Sequence, residues 1–198
     1  MSALRSLASF VSSLYLRFVR SRSPRKLATE SELYAAALRA LMRRAHSVYE
    51  MRQLLERRAE SADDAKAVLA RLRQNKYLDD ARFAAEFARV HGLARRQGRF
   101  RISRELRQRG VSDKHIEAAL DHVFAETSEA DLIRVRLKRK LASFRGRIDQ
   151  RKAASLYRGL LRAGFSGDAV RDALRAARVD AAAIADIAES SPPTEDEE

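Results

Sequence analysis

Apolar residues spaced three or four positions apart recur along the chain, and this spacing predicts amphipathic helices rather than strands. Three fifteen-residue segments with this pattern align without a gap, at residues 55–69, 106–120 and 160–174. They begin about 50 residues apart, at the long end of the periods found in helical repeat proteins. The pattern therefore predicts an internal repeat in three copies.

The aligned positions indicate a helix, a turn and a second helix in each copy. Gly110 and Gly164 fall where the first of these helices ends, a place that favours a left-handed residue, whereas the first copy has Ala59 there. A serine two residues later is expected to cap the next helix. The predicted buried positions are Met51, Leu55, Ala65 and Leu69, then Ile102, Leu106, Ile116 and Leu120, then Leu156, Leu160, Val170 and Leu174, and the capping serines are Ser61, Ser112 and Ser166.

Each copy also contains an earlier helix. Thr29 with Glu32, and Ser47 with Glu50, are capping-box patterns that predict two helix starts in the first copy. We expect an all-α fold of nine helices in three tandem three-helix repeats, at residues 29–79, 80–128 and 129–179. Such units cover one another's apolar faces, so they should stack end to end into an elongated, curved array.

The two ends of the chain have opposite charge. Residues 1–28 carry six basic residues and no acid, and they are predicted to form a basic amphipathic extension; a membrane-surface anchor or an organelle transit peptide is the alternative. Residues 180–198 carry seven acids and no base, which predicts a solvated acidic tail.

Composition excludes several functional classes. The chain has no cysteine, which excludes a disulfide scaffold, a zinc-thiolate site and a thiol nucleophile. No run of 18 apolar residues is present, so no membrane span is predicted. No Gly-rich phosphate loop, Ser-His-Asp set or HExxH motif occurs either. We therefore expect no enzymatic activity, no small-molecule substrate and no cofactor.

Positive charge is the strongest chemical feature. The net charge of +13 predicts attraction to polyanions, and we expect two basic clusters to bind phosphate groups or an acidic partner surface, although a solvated helix face is the alternative. Phe100 and Phe144 flank the clusters, and their helical spacing favours core positions over stacking on bases. The first cluster is Arg95, Arg96, Arg99, Arg101, Arg104, Arg107 and Arg109; the second is Arg134, Arg136, Lys138, Arg139, Lys140, Arg145, Arg147, Arg151 and Lys152.

Two sets of polar residues could be taken for metal sites. Asp79 and Asp80 are adjacent, so on a helix they point in different directions; an Asp before a helix caps it, and we assign Asp80 to the start of the helix. His115 and His122 lie two helical turns apart but lack a third ligand, so we expect no metal site.

Several short motifs resemble those of RecX proteins. The run from Asn75 to Ala84, which contains Tyr77, Leu78, Asp79, Asp80, Arg82 and Phe83, resembles the segment that joins the first two repeats of that family. Arg44 to Ser47 with Glu50 is similar to the family's opening of the second helix, and Gly98, Glu105, Leu106 and Gly110 match its second repeat. The resemblance covers about residues 30–178, and its third copy is the loosest.

The resemblance implies a regulator of the RecA recombinase. Its partners would be the RecA filament and single-stranded DNA, contacted directly or through RecA. The protein would lie in the filament groove and slow ATP hydrolysis and strand exchange. A cytoplasmic monomer is expected, or an organellar protein if residues 1–28 are a transit peptide; the motif residues from Tyr77 to Phe83 are expected to be structural.

Two other functions remain open from the sequence. Residues 106–120 have the helix, turn and helix of a helix-turn-helix DNA-binding protein, but residues 113–122 carry three acids and one lysine, which opposes docking on phosphates. A peripheral membrane protein that uses residues 1–20 is the third possibility.

Overall fold

The computed structural model describes residues 26–144, 148–177 and 179. This part of the chain forms nine α-helices and no strand, with one isolated bridge between Leu27 and Ala59. The predicted all-α fold is therefore confirmed. Residues 1–25 of the predicted extension and the whole acidic tail, 180–198, lie outside the described residues.

The helices follow one another in groups of three. A π-helical turn, Val90–Ala94, continues α4 toward α5. No helix of the described part is long and apolar enough to cross a membrane. The bounds are α1 Glu30–Arg43, α2 Val48–Arg58, α3 Ala62–Gln74, α4 Asp80–Arg89, α5 Arg99–Gln108, α6 Asp113–Glu126, α7 Glu129–Ala142, α8 Gln150–Arg162 and α9 Gly167–Ala176.

Side-chain caps fix most of the helix starts. Ser47 and Glu50 form a complete capping box at α2, as predicted, and Thr29 accepts a hydrogen bond from the Glu32 amide at α1. Ser61 and Ser166 cap α3 and α9, whereas Ser112 stands at the start of α6 without a capping hydrogen bond from its side chain. Such caps satisfy amides that the helix itself leaves free.

Each group of three helices has its own hydrophobic core. The predicted positions are buried in all three copies, except that Leu69 is half-buried. Phe124 packs against both the second and the third core, so it links these two groups. One core per group supports the repeat boundaries at 29–79, 80–128 and 129–179, which we retain as a proposal.

Neighbouring repeats are joined by the same hydrogen bond at both junctions. The Val48 amide at the start of α2 donates to Oδ1 of Asp80, the first residue of α4 (2.9 Å). The Arg99 amide at the start of α5 donates to Oε1 of Glu129, the first residue of α7 (2.9 Å). A carboxylate from the next repeat thus satisfies an amide that the second helix leaves free.

The start of one repeat's second helix also faces the end of the next repeat's second helix. Ser47 Oγ donates to the Arg109 carbonyl (2.5 Å), and the Gly98 amide donates to the Ala163 carbonyl (2.9 Å). Positive helix starts therefore meet negative helix ends, an arrangement that the helix dipoles favour.

Two glycines are required at these junctions. Gly110 and Gly164 have φ of +71° and +91°, which confirms the predicted left-handed helix ends. A Cβ on Gly110 would lie 2.5 Å from Cβ of Tyr49, and one on Gly164 would clash with Arg101. The glycines thus serve both the turn and the close approach of the preceding repeat.

In the described part of the chain, a short extended segment lies against the end of α2 in the first repeat. The Leu27 amide donates to the Arg58 carbonyl (2.7 Å), and the Glu60 amide donates to the Leu27 carbonyl (3.2 Å). Ala59 stands here instead of glycine, with φ of −72°, a conformation that a Cβ tolerates. Leu27 therefore contacts the end of α2, the position that the preceding repeat occupies in the second and third copies.

Candidate functional site

The fold compensates more of the first basic cluster than the local sequence indicates. Only Glu105 lies within the cluster, but the chain brings acids from other helices to it. The pairs are Arg99 with Asp121, Arg101 with Glu105 (2.8 Å), Arg107 with Asp113 (2.7 Å) and Arg109 with Glu50 (3.8 Å). Arg95, Arg96 and Arg104 have no acidic partner among the described residues.

The second cluster is less compensated. Arg134 pairs with Asp131 (2.6 Å), and Lys152 lies 4.0 Å from Asp149. Arg145 and Arg147 lie outside the described residues. Four cations of this cluster are exposed and contact no acid in the described part of the chain, namely Lys138, Arg139, Lys140 and Arg151.

The two clusters meet at the junction of the second and third repeats. Arg136 on α7 donates from Nη1 to the carbonyls of Arg95 (3.2 Å) and Arg96 (3.0 Å). Burial lowers the pKa of Arg136, and the nearby charges of Arg139, Arg101 and Arg96 lower it further. Four guanidinium groups from α5, α7 and the loop before α5 therefore converge, which raises the local positive potential.

One flanking aromatic residue differs from its predicted place. Phe144 packs against the third core, as its spacing predicts. Phe100 was predicted to be a core residue, and this is wrong, because 62% of its surface is exposed. It lies in the first turn of α5, where the buried face is formed by Ile102 and Leu106, so the ring points away from the core.

The motif from Tyr77 to Phe83 lies between the first two repeats. Leu78 is buried in the first core, whereas Tyr77 is half exposed. Arg82 donates from Nη2 to the Lys76 carbonyl (3.0 Å) and so fixes the turn before α4. These contacts support a structural role for the motif, which remains a proposal.

The two aspartates of this motif have separate roles. Asp79, not Asp80, caps α4, since Asp79 Oδ1 accepts from the Arg82 amide (3.0 Å). Asp80 instead accepts from Val48 across the repeat junction. Assigning Asp80 as the cap of its own helix is therefore wrong by one residue. The described residues contain no group of three His, Cys, Asp or Glu side chains that could hold a metal ion.

A cleft of about 580 Å³ opens beside the motif, between the first two repeats. Tyr77 and Phe83 line it, and the Arg109 guanidinium covers the Phe87 ring at 4.7 Å. The cleft thus combines aromatic walls with cations, of which Arg109 is already held by the Glu105 carbonyl (2.7 Å).

Two buried histidines lie at the wall of this cleft. Burial, with the nearby Arg44 charge, lowers the pKa of His46, whose Nδ1 bonds to the Arg44 carbonyl (3.0 Å). Burial also lowers the pKa of His91, which stacks on Phe87 at 3.8 Å. Both imidazoles are therefore neutral at neutral pH and act as packing groups.

Comparison with known proteins identifies the family. Family models match residues 34–72, described as the first three-helix domain of RecX, and residues 79–120, described as its second three-helix domain. The regulatory protein RecX of Halorhodospira halophila is 40% identical over 147 residues, which are 73% of this chain and 88% of that protein. The RecX of Deinococcus radiodurans is 36% identical over 180 residues, or 90% and 80% of the two chains.

Solved structures show the same fold. The crystal structure of RecX from Lactobacillus salivarius superposes with a TM-score of 0.65 at 17% identity, over 76% of this chain and 97% of that chain. A second RecX crystal structure gives the same TM-score at 21% identity, over 74% and 73% of the two chains. The solved structures share the fold, and the family models with the sequence relatives show that the chain belongs to the RecX family of regulatory proteins.

Proposed function

We propose that this protein binds the RecA filament on single-stranded DNA and inhibits its ATPase and strand-exchange activities. The RecX resemblance supplies RecA as the partner. The observation that supports binding is the convergence of four guanidinium groups at the junction of the second and third repeats, of which only Arg101 has an acidic partner in the described part. The filament, with its DNA, presents the polyanion that such a surface attracts.

The mechanism is binding rather than chemistry. A regulator without an active site acts through different affinities for the states of its target. A tandem array makes many weak contacts at once, which raises its total affinity without any single strong contact. An array seated in the filament groove excludes the incoming duplex and restrains the subunit motions that ATP turnover needs. A monomer in the cytoplasm, where RecA works, is sufficient for this role.

Sequence-specific duplex binding is less favoured by the structure. In a helix-turn-helix protein, α6 would be the recognition helix in the major groove. Its exposed face presents Asp113, Glu117 and Asp121. Asp113 and Asp121 pair with arginines of α5, so the helix offers little positive charge of its own to the DNA phosphates. The cations lie on α5 and α7 instead.

The test is a titration of the full chain into RecA ATPase and strand-exchange reactions. We expect inhibition at protein concentrations below that of RecA. The charge reversal Lys138→Glu, Arg139→Glu, Lys140→Glu should weaken inhibition at least about tenfold, because it removes several phosphate contacts. All three side chains are exposed and contact no acid in the described part, so the fold should be retained.

A matched control separates this surface from net charge alone. Arg39, Arg43 and Arg52 on the first repeat are also exposed and contact no acid in the described part. Reversing these three makes the same change in net charge but should leave most of the inhibition. If both triple variants lost the same amount of RecA inhibition, the proposal that this surface binds the filament would be wrong. A full chain that does not affect RecA but binds one duplex sequence tightly would support the helix-turn-helix hypothesis.

A further inference from the structure

Phe100 is an apolar ring held at the surface in a fixed position. It is the second residue of α5 and is 62% exposed. Its own amide donates to the Gly164 carbonyl (3.1 Å), and the preceding Arg99 amide donates to Glu129 (2.9 Å). Two consecutive hydrogen bonds to the third repeat thus fix the backbone that carries the ring, so little conformational entropy is lost when a ligand stacks on it.

Cations continue along the same face of α5. Arg104 lies four residues after Phe100 and Arg107 lies seven after it, so the three side chains share one helical face. Arg104 is exposed and contacts no acid among the described residues, whereas Arg107 is held by Asp113 (2.7 Å). The face therefore presents one flat ring followed by positive charge.

The guanidinium cluster around Arg136 adjoins the same first turn of α5, through Arg101. Arg101, next to Phe100, donates from Nη1 to the Arg162 carbonyl (3.3 Å), and Arg136 donates to the Arg96 carbonyl. Arg96 has φ of +51°, a left-handed conformation that costs a non-glycine residue free energy. Among the described residues, only Glu105 forms an ion pair with this group, so an anion placed here would relieve the repulsion between the guanidinium groups.

We infer that this junction binds single-stranded DNA directly, with one unpaired base stacked on Phe100 and the adjoining phosphates on Arg101, Arg104, Arg136 and Arg139. Flat rings beside cations along a groove are the usual means of holding single strands without sequence preference. In a duplex the base faces are already stacked on one another, so the site selects single strands. The inference deepens the proposed function, since it assigns the DNA contact of the same surface.

The experiment measures binding of the full chain to a short fluorescent oligothymidylate by anisotropy, without RecA. Phe100→Ala should weaken binding by about 5- to 150-fold, the equivalent of one stacked base. Phe100→Tyr should retain affinity, whereas Phe100→Leu, which is apolar but not flat, should lose nearly as much as Ala. Because the ring is exposed, circular dichroism should show unchanged folding in all three variants.

Two further arms separate stacking from charge. An abasic strand of the same length should bind the wild type more weakly, and Phe100→Ala should not weaken it further. The slope of the logarithm of the binding constant against the logarithm of the salt concentration should become shallower by about 0.7 in Arg139→Ala, the value for one phosphate of a single strand. Phe100→Ala should leave this slope unchanged. Equal affinity of the wild type for the two strands, or unchanged binding by Phe100→Ala, would overturn the inference.

RecA assays on the same variants keep this inference distinct from the proposed function. If Phe100→Ala loses RecA inhibition but keeps its affinity for the strand, the ring contacts RecA instead of a base and the inference fails. If the wild type has no effect on RecA but its strand binding depends on the ring, the proposed function fails and this inference stands.

Discussion

The Asp80 side chain binds a backbone amide that is remote from it in the sequence. An Asp-Asp pair before a helix predicts a cap, and the structure places a cap at this pair. Which aspartate caps the helix depends on the helix start, and Asp79 takes that role. The bond from Asp80 to Val48 joins residues 32 positions apart, and no local pattern predicts such a contact.

Removing Asp80 should therefore destabilise the junction between the first two repeats. Asp80→Ala should lower the free energy of unfolding by about 1–2 kcal/mol, because the Val48 amide loses a charged acceptor. Asp80→Asn should recover part of this loss, since it keeps an acceptor oxygen. Urea denaturation followed by circular dichroism measures both variants.

The control is Asp63→Ala, which removes an exposed aspartate from the first turn of α3 and should change stability by about 0.5 kcal/mol or less. Binding of single-stranded DNA by folded Asp80→Ala should equal that of the wild type. Full stability with lost DNA binding would make Asp80 a contact residue instead.

The helices were predictable because the signals that define them are local. Capping boxes, apolar residues four apart and glycine at helix ends all act within a few residues. The structure has each kind of signal, with a complete capping box at Ser47 and a single capping bond at Thr29. The way in which the repeats join was not predictable, since it depends on contacts such as Ser47 with Arg109, 62 positions apart. Gly110 and Gly164 show the difference between a local signal and a contact between repeats. Their left-handed conformation was expected, but the packing of Tyr49 and Arg101 against them was not.

Gly164 and Gly159, both in the third repeat, should respond in opposite ways to alanine. Gly164→Ala should destabilise the protein by at least about 1–3 kcal/mol, because φ is +91° and the new Cβ would clash with Arg101. Gly159 lies inside α8 with nothing within 4 Å of a new Cβ, so Gly159→Ala should stabilise the protein by about 0.5–1 kcal/mol. Thermal melting measures both variants. If both melting temperatures shifted in the same direction, the role assigned to Gly164 at the junction would be wrong.

At the scale of the whole molecule, charge was the least accurately predicted feature. The sequence contains both basic clusters, and the net charge of +13 predicts a polyanion partner. A count along the chain overstates the free charge of the first cluster, because Asp121, Asp113 and Glu50 reach it only through the fold. A count of charges also cannot show that the two clusters meet at Arg136 or that Phe100 is exposed. Both of these features support the proposed DNA site.

The acidic tail should weaken DNA binding through its charge. Residues 180–198 carry seven acids and no base, so they reduce the positive potential that draws DNA to the second and third repeats. Deleting them should raise the association rate with single-stranded DNA at low salt by about tenfold, the lower end of electrostatic steering effects. The gain should fade near physiological ionic strength, where charges are screened beyond about 8 Å.

Stopped-flow fluorescence with a labelled oligothymidylate measures this rate, and a chain of unchanged length distinguishes charge from bulk. In that control the seven acids of the tail are replaced by their amides, and the rate should rise as much as in the deletion. If only the deletion raises the rate, the tail acts by occupying space, and its charge is not the cause. If neither variant changes the rate at low salt, the field at the DNA surface is set by the repeats alone.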